Sequence, residues 1–259
     1  MRQLLSFVVF VAIVYVGLCA ALFFFQRSML YYPQPRPRGE RSATLPLSVE
    51  GAELVISVRA HDGPNAIVYF GGNGEDVTFN LPSFSAAFPE HALYLMNYRG
   101  YGGSSGSPSE AGISQDALAL FDYVHARHPN VLVMGRSLGS GVAIRLASQR
   151  PATGLVLITP YSSIVELGAS QFPMFPVKWL IRDRYESWRY APLIGVPTLF
   201  VVAEHDQIIP RASSNALYAR FRQGVARLHV IPETGHNTIS ATPMYVAALQ
   251  SALAQNSEQ

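Results

Sequence analysis

The residues best placed to do chemistry are Gly135-Arg136-Ser137-Leu138-Gly139, a serine with a glycine two positions away on either side. The apolar run Val131–Met134 precedes the motif, and a helix-forming segment follows it. A serine on a sharp strand-to-helix turn is presented as a nucleophile, and the flanking glycines avoid collisions with the adjoining strand and helix. The small residues Ser140, Gly141 and Ala143 that follow also suit close helix–sheet packing, so the motif alone leaves both interpretations open.

A serine hydroxyl is a weak nucleophile, so it needs a base to take its proton and an acid to orient that base. Asp206 follows the apolar run Thr198–Val202, and His236 follows the run Leu228–Ile231. Both residues therefore lie in loops after strands, in the chain order serine, acid, histidine that accompanies this type of turn. We predict that Ser137, Asp206 and His236 form a catalytic triad.

Other side chains compete for these roles. Glu204 is an alternative acid, although it lies closer to the strand end, and we expect its neighbour His205 to face solvent. The seven histidines show no paired metal-ligand spacing, and Cys19 is the single cysteine. We therefore expect no metal site, no disulfide framework and no cofactor.

The oxyanion of an acyl-transfer intermediate needs backbone N–H donors. One donor comes from the residue after the nucleophile, here Leu138. The other is expected in the glycine-rich loop Gly71–Gly74, which follows the apolar run Ala66–Phe70, and Asn73 is the predicted donor by position. An ordinary glycine turn is the alternative interpretation of this loop.

The elements around these residues predict an α/β fold with a mostly parallel central sheet flanked by helices. Strands that are apolar on both faces alternate with helical segments, which is typical of a sheet covered on two sides. In such sheets ligands bind beyond the carboxyl ends of the strands, where the predicted triad lies. The predicted strands are 54–58, 66–70, 92–96, 131–134, 155–158, 198–202 and 228–231, and the predicted helices are one capped by Ser114, then 138–149 and 242–254.

The segment Leu4–Phe25 carries no charge and, as a helix, spans about 33 Å at about 1.5 Å per residue, enough to cross a bilayer. A cleaved signal peptide is the alternative, with a weak cleavage site at Ala20-Ala21, but Phe23–Phe25 continues the apolar run beyond that site. We predict a transmembrane anchor over residues 1–26, a Pro/Arg-rich linker over 27–49 and a catalytic domain over 50–259.

The flanks of this segment bear on its placement in the membrane. Arg27, Tyr31 and Tyr32 lie where interface anchors are expected. The arginines after the span favour a cytoplasmic catalytic domain, whereas the short N-terminal tail favours the opposite orientation. These arginines are Arg27, Arg36, Arg38 and Arg41.

A net charge of +2 without a basic stripe argues against a nucleic-acid partner.

The chain resembles the bud-emergence-type branch of the α/β hydrolases, which commonly carry an N-terminal membrane span. The resemblance rests on Asn97–Glu110, with its core Tyr-Arg-Gly-Tyr-Gly, on the elbow Gly135–Gly141 and on Asp206 with Ile209-Pro210. It implies an α/β-hydrolase fold and hydrolysis of carboxylic ester or thioester bonds, with acyl groups at a membrane among the substrates. Two positions depart from the branch, since it often has His where Gly71 stands and Asp where Asn97 stands.

The interval between the strands at 155–158 and 198–202 is too short for a large lid, so we expect a minimal cap. Its aromatic stretch Phe172–Ile181 is expected to form a short helix packed on the core, and the alternative hypothesis is that it lines an acyl pocket or touches the bilayer. The predicted function is a membrane-anchored serine hydrolase that cleaves small or lipid-like acyl esters or thioesters. A serine peptidase with the same triad and a non-catalytic membrane scaffold are the alternatives.

Overall fold

A single eight-stranded sheet organises the computed structural model, which describes residues 1–36 and 42–254. The strands are β1 (Thr44–Val49), β2 (Ala52–Arg59), β3 (Asn65–Phe70), β4 (Ala92–Met96), β5 (Asn130–Arg136), β6 (Gly154–Ile158), β7 (Thr198–Ala203) and β8 (Ala226–Ile231). Their order across the sheet is β1-β2-β4-β3-β5-β6-β7-β8. The β1–β2 and β2–β4 pairs are antiparallel and all the other pairs are parallel, which confirms the predicted fold class.

Helices cover both faces of this sheet, and two separate apolar clusters fill the spaces between helices and strands. The helices are α1 (Arg2–Leu30), α2 (Leu81–Ala87), α3 (Glu110–His125), α4 (Leu138–Ala147), α5 (Ile164–Gln171), α6 (Val177–Leu180), α7 (Ser187–Tyr190), α8 (Arg211–Tyr218) and α9 (Pro243–Ala254). The central strands β6 and β7 are buried at every position, because helices cover them on both sides.

Two boundaries differ from the sequence prediction. Helix α3 begins at Glu110 rather than at Ser114, because Ser109 is extended and its hydroxyl accepts a hydrogen bond from the Gly112 N–H at 3.2 Å. Ser114 is buried inside the helix. Residues 44–49, which were predicted as linker, form the edge strand β1, with Pro46 in the edge position that proline tolerates. Pro37, Arg38 and Arg41 of the predicted linker lie outside the described residues.

Helix α1 is long and apolar enough to cross a membrane, and its residues up to Leu18 are exposed. Its C-terminal end is tied to the rest of the chain. Arg27 forms two hydrogen bonds with the Asp183 carboxylate, at 2.7 and 3.1 Å. Tyr31 is buried and shares a hydrogen bond with the Tyr185 hydroxyl at 2.9 Å. The prediction that Tyr31 lies at the lipid interface is therefore wrong, and it belongs to the core.

The Tyr-Arg-Gly-Tyr-Gly segment is fixed by a buried ion pair between Arg99 and Asp116 of α3. The guanidinium binds both carboxylate oxygens at 2.7 Å, and its Nη2 also donates to the Glu50 carbonyl at 2.8 Å. The Asp116 side chain is fully buried. The segment between β4 and α3 is thereby held against the sheet edge.

Breaking this pair is expected to destabilise the fold strongly. Arg99→Ala leaves the Asp116 carboxylate buried without its counter-ion, so the free energy of unfolding should fall by about 3–5 kcal/mol. The matched control is Arg150→Ala, which removes an equally bidentate but solvent-exposed pair with Asp122, and about 0–1 kcal/mol is expected. Guanidinium unfolding of the full chain in detergent measures both, and equal losses would contradict this account.

Candidate active site

Ser137 occupies the corner between β5 and α4 in a strained backbone conformation, with φ 49° and ψ −119°. The flanking glycines have a direct steric reason. A Cβ on Gly135 would lie 2.2 Å from the Gly139 carbonyl oxygen, and a Cβ on Gly139 would lie 2.0 Å from the Phe70 carbonyl oxygen. No side chain fits at either position, so the motif is required by the corner itself.

The structure brings the three predicted triad residues together. His236 Nε2 lies 3.0 Å from Ser137 Oγ, and His236 Nδ1 lies 2.8 Å from Asp206 Oδ2. The other carboxylate oxygen of Asp206 accepts the N–H groups of Ile208 and Ile209, at 2.9 and 2.7 Å. The Asp206 side chain is 1% exposed and that of His236 is 7% exposed, so the chain of hydrogen bonds is shielded from water. The geometry suits proton transfer from the serine hydroxyl.

Glu204, the alternative acid, points elsewhere. Its Oε2 accepts the Glu233 N–H at 2.9 Å, and within the described part of the chain it has no hydrogen bond to His236. Glu204, His205 and Glu233 each place one potential ligand atom within 4.8 Å of the others, on the surface. Exposed groups of this kind are common without an ion, so the cluster supports no metal assignment.

The two predicted oxyanion donors face the same cavity as Ser137. Among the described residues, none accepts a hydrogen bond from the backbone N–H of Asn73 or of Leu138. The Gly72 N–H, by contrast, donates to Glu75 Oε2 at 2.7 Å. The free pair of N–H groups beside the serine is the arrangement that an oxyanion requires.

A network around Glu75 holds the glycine-rich loop, and sequence reasoning did not find it. Besides Gly72, the carboxylate accepts the Tyr69 hydroxyl at 2.6 Å, and it lies 3.6 Å from Arg136 Nη1. Burial, with a contribution from the Glu75 charge, raises the pKa of Tyr69 well above its usual value, so its hydroxyl remains a donor. Arg136 Nη2 also donates to the His236 carbonyl at 3.1 Å. Arg136 therefore links the glycine-rich loop to the loop that carries His236.

Two tyrosines of the Tyr-Arg-Gly-Tyr-Gly segment support the same loop from the other side. The Tyr98 hydroxyl donates to the Gly71 carbonyl at 2.7 Å, and the Tyr101 hydroxyl donates to the Asn73 carbonyl. Burial raises the pKa of Tyr101 to about 12, so this donor persists at neutral pH. Asn97, which departs from the branch, donates to the Val55 carbonyl at 2.8 Å. The segment used for the resemblance thus has a structural role at the site.

A cavity of about 260 Å³ extends from Ser137 between the cap and helix α1. Apart from Asn73, Ser137 and Leu138, its lining is mainly apolar. From α1 it includes Leu22, Gln26, Met29 and Leu30, and from the cap and the acid loop it includes Tyr161, Ile164, Leu167, Gly168, Gln171, Phe172, Phe175, Val177, Leu180, Ile181, Ile208 and Ile209. Phe172 and Phe175 therefore line the cavity, whereas the short helix expected in this stretch forms at α6 but has no buried residue.

Comparisons with known proteins agree with this fold. An uncharacterized protein of Mycobacterium tuberculosis is 31% identical over 255 residues, which cover 90% of this chain and 88% of the relative. The protein bem46 of Schizosaccharomyces pombe is 28% identical over 217 residues, covering 78% of this chain and 72% of the relative. The chain belongs to the bem46/ABHD branch of the α/β-hydrolase superfamily. The resemblance seen in the sequence is thereby confirmed.

Other relatives of this α/β hydrolase share only part of its length. The lysophosphatidylserine lipase ABHD12 of Xenopus tropicalis is 32% identical over 178 residues, which cover 59% of this chain and 45% of the relative. The sequence model of a family described as serine aminopeptidase, S33, matches residues 85–190. An esterase of Pyrococcus furiosus superimposes with a TM-score of 0.71 at 15% identity, covering 87% of this chain and 97% of that structure. At that identity the likeness shows the fold alone.

The geometry predicts a sharp difference between the two candidate acids. Asp206→Asn removes the carboxylate that orients His236, so kcat should fall about 10⁴-fold. Glu204→Gln changes a side chain that contacts neither His236 nor Ser137, so kcat should stay within about twofold of the parent. Initial rates with a p-nitrophenyl ester measure both variants, and a larger loss for Glu204→Gln would reverse the assignment.

Proposed function

We propose that this α/β hydrolase is a membrane-anchored serine hydrolase that cleaves carboxylic ester or thioester bonds through an acyl-enzyme on Ser137. The observation that carries the proposal is the hydrogen-bonded chain from Ser137 through His236 to Asp206, at one end of an apolar cavity. An apolar cavity suits an acyl chain, and the triad suits the carbonyl group at its end.

In the proposed reaction, Ser137 Oγ attacks the carbonyl carbon while His236 Nε2 takes the hydroxyl proton. Asp206 holds the Nδ1–H and stabilises the positive charge that forms on the imidazole. The N–H groups of Asn73 and Leu138 hold the oxyanion, and losing one such donor typically costs about 2.7–4 kcal/mol of transition-state stabilisation. His236 then protonates the leaving alcohol or thiol. Water releases the acyl group by the same steps.

Membrane anchoring is part of the proposal. Helix α1 has the length and composition of a span, and its end is bound to the rest of the chain through Arg27 and Asp183 and through the buried Tyr31. A retained anchor is supported over a cleaved signal peptide by Tyr15, because cleavage near Ala20 would remove its contacts with Met174 and Phe175. We assign the catalytic domain from β1 onward, and the arginine count favours its placement in the cytoplasm.

The name of one relative supports a substrate with an acyl ester. ABHD12 is named a lysophosphatidylserine lipase. The serine aminopeptidase description of the matching family favours a second candidate, a serine peptidase with the same triad. Turnover of matched p-nitrophenyl ester and p-nitroanilide substrates separates the two, and the leading proposal requires the ester to be far the better substrate.

The nucleophile is tested with a fluorophosphonate probe, which reacts only with an activated serine. The full chain in detergent should be labelled, and Ser137→Ala should abolish both the labelling and ester turnover, the latter by about 10⁴-fold or more. The matched control is Ser140→Ala, which removes a neighbouring hydroxyl that donates to the Ser137 carbonyl. This variant should still be labelled. Equal labelling of the parent and Ser137→Ala would place the reactive serine elsewhere, and no labelling of the parent would leave a non-catalytic scaffold as the better account.

The apolar wall formed by Phe172, Phe175 and Leu167 predicts a preference for medium acyl chains. Each buried methylene contributes about 0.8 kcal/mol, so kcat/KM should rise about fourfold per CH₂ until the cavity is full. A series of p-nitrophenyl esters from acetate to laurate measures this profile. A series without any preference beyond acetate would show that the cavity does not hold the acyl chain.

A further inference from the structure

The cap contacts helix α1 far from the end of that helix. The Tyr15 hydroxyl donates to the Met174 carbonyl at 2.9 Å, and the Tyr15 and Phe175 rings stack with their centroids 5.8 Å apart. Tyr15 lies twelve residues before Arg27, which is about 18 Å along a helix. It also lies near the middle of the apolar run Leu4–Phe25. A cap segment therefore runs alongside the half of α1 that a bilayer would cover.

We propose that this segment, Phe172–Pro176, here termed the cap loop, inserts into the hydrocarbon layer that α1 crosses. The cavity then opens to lipid, and acyl substrates reach Ser137 from within the bilayer. The inference rests on the proposed function and names the source of its substrate, a membrane-dissolved acyl ester.

The composition of the cap loop fits this environment. Its sequence, Phe-Pro-Met-Phe-Pro, contains no charged and no hydrogen-bonding side chain. The Met174 side chain is 78% exposed and Phe172 is 37% exposed, so the loop presents apolar surface outward. Because Tyr15 stacks on Phe175, that surface lies beside the exposed surface of α1. Both surfaces therefore face the same surroundings, which are lipid if α1 crosses a membrane.

The backbone of the cap loop needs little water. In hydrocarbon an unpaired N–H or C=O costs several kcal/mol. The Phe172 N–H donates to the Gly168 carbonyl at 2.9 Å, the Phe175 N–H donates to the Phe172 carbonyl at 3.1 Å, and the two prolines have no N–H. The Met174 carbonyl accepts from Tyr15. Among the N–H groups of this loop, that of Met174 alone has no acceptor in the described residues.

Polar groups return at the level where the headgroups would begin. Gln26 donates to the Leu180 carbonyl at 3.1 Å and accepts the Arg182 N–H at 2.6 Å. Trp179 is 88% exposed at this level, as expected for a residue of the aromatic belt. Lys178, beside it, has a stem long enough to reach the headgroups. The sequence from the cap loop to Arg182 thus passes from apolar to charged as a membrane-dipping element does.

The cavity connects this element to the candidate nucleophile. Its lining includes both Ser137 and Leu22 of α1. Leu22 lies five residues before Arg27, about 8 Å deeper along the helix, and hence inside the apolar run. A lipid that moves sideways along α1 can therefore place its acyl chain between the helix and the cap loop without passing through water.

The depth of the cap loop is measured by spin-label accessibility in phosphatidylcholine nanodiscs. Cys19→Ser removes the only cysteine, and labels are attached at Met174→Cys, at Val14→Cys in the exposed face of α1 and at Glu90→Cys as the aqueous control. Glu90 is 79% exposed in the turn before β4. The oxygen-to-nickel accessibility ratio at 174 should match that at 14 and exceed that at 90 severalfold.

Two results would overturn the proposal. Equal ratios at 174 and 90 would place the cap loop in water. Protection of position 174 from both reagents would mean that protein covers it, for example a second copy of the chain. Because this measurement involves no turnover, its failure is separate from failure of the proposed function, which the fluorophosphonate probe reports.

Entry along α1 is tested by two tryptophan substitutions on the same helix. Leu22→Trp adds bulk to the cavity wall that α1 provides, and excluding about two methylenes should lower kcat/KM for a long-chain ester relative to acetate about 15-fold. Leu18→Trp adds the same bulk to an exposed position outside the cavity and should leave the ratio unchanged. Equal ratios for the two variants would contradict the opening toward α1.

Discussion

The site depends on the corner between β5 and α4, where the chain turns from the central strand into a helix within one residue. Ser137 has a positive φ of 49° there, a conformation that non-glycine residues rarely adopt and that the surrounding structure must enforce. Enforcement comes from the parallel pairing of β5 with β3 and β6 and from the close approach of Gly139 to Phe70. The same approach places Leu138 beside the glycine-rich loop, so the candidate nucleophile and the candidate oxyanion donors are positioned together.

The remaining site residues are positioned by loops that touch one another as well as the sheet. Glu75 and Arg136 connect the glycine-rich loop to His236, and Tyr98 and Tyr101 support that loop from the segment after β4. Polar networks of this kind are satisfied at each member and therefore fix a single arrangement. The Tyr-Arg-Gly-Tyr-Gly segment, on which the resemblance to the branch partly rests, thus also holds the glycine-rich loop.

Sequence reasoning predicted a mostly parallel sheet, the positions of its strands β2 to β8 along the chain and the three residues that meet in the structure, because each rests on local patterns. Apolar runs mark β3 to β8, and chain order relates Ser137 to Asp206 and His236. Edge strand β1 was not predicted, because its proline is typical of a linker and the strand is exposed at alternate positions. The burial of Tyr31 and the hydrogen-bond network around Glu75 were not predicted either, because both depend on contacts between residues distant in the chain. The local pattern around Ser114 was misleading, because Ser109, five residues earlier, caps the helix instead.

A cavity lies between the corner that carries Ser137 and a helix suited to a bilayer, so that the same helix can anchor the chain and shape its pocket. The central claim of the proposed mechanism is a covalent acyl intermediate on Ser137. The most direct measurement is mass spectrometry of the full chain mixed briefly with p-nitrophenyl hexanoate and quenched in acid. The account predicts a hexanoyl adduct on the peptide that contains Ser137, which disappears on longer incubation as water releases it. An adduct on a different residue would contradict it. Turnover by the purified parent chain with no adduct at any quench time would contradict it as well.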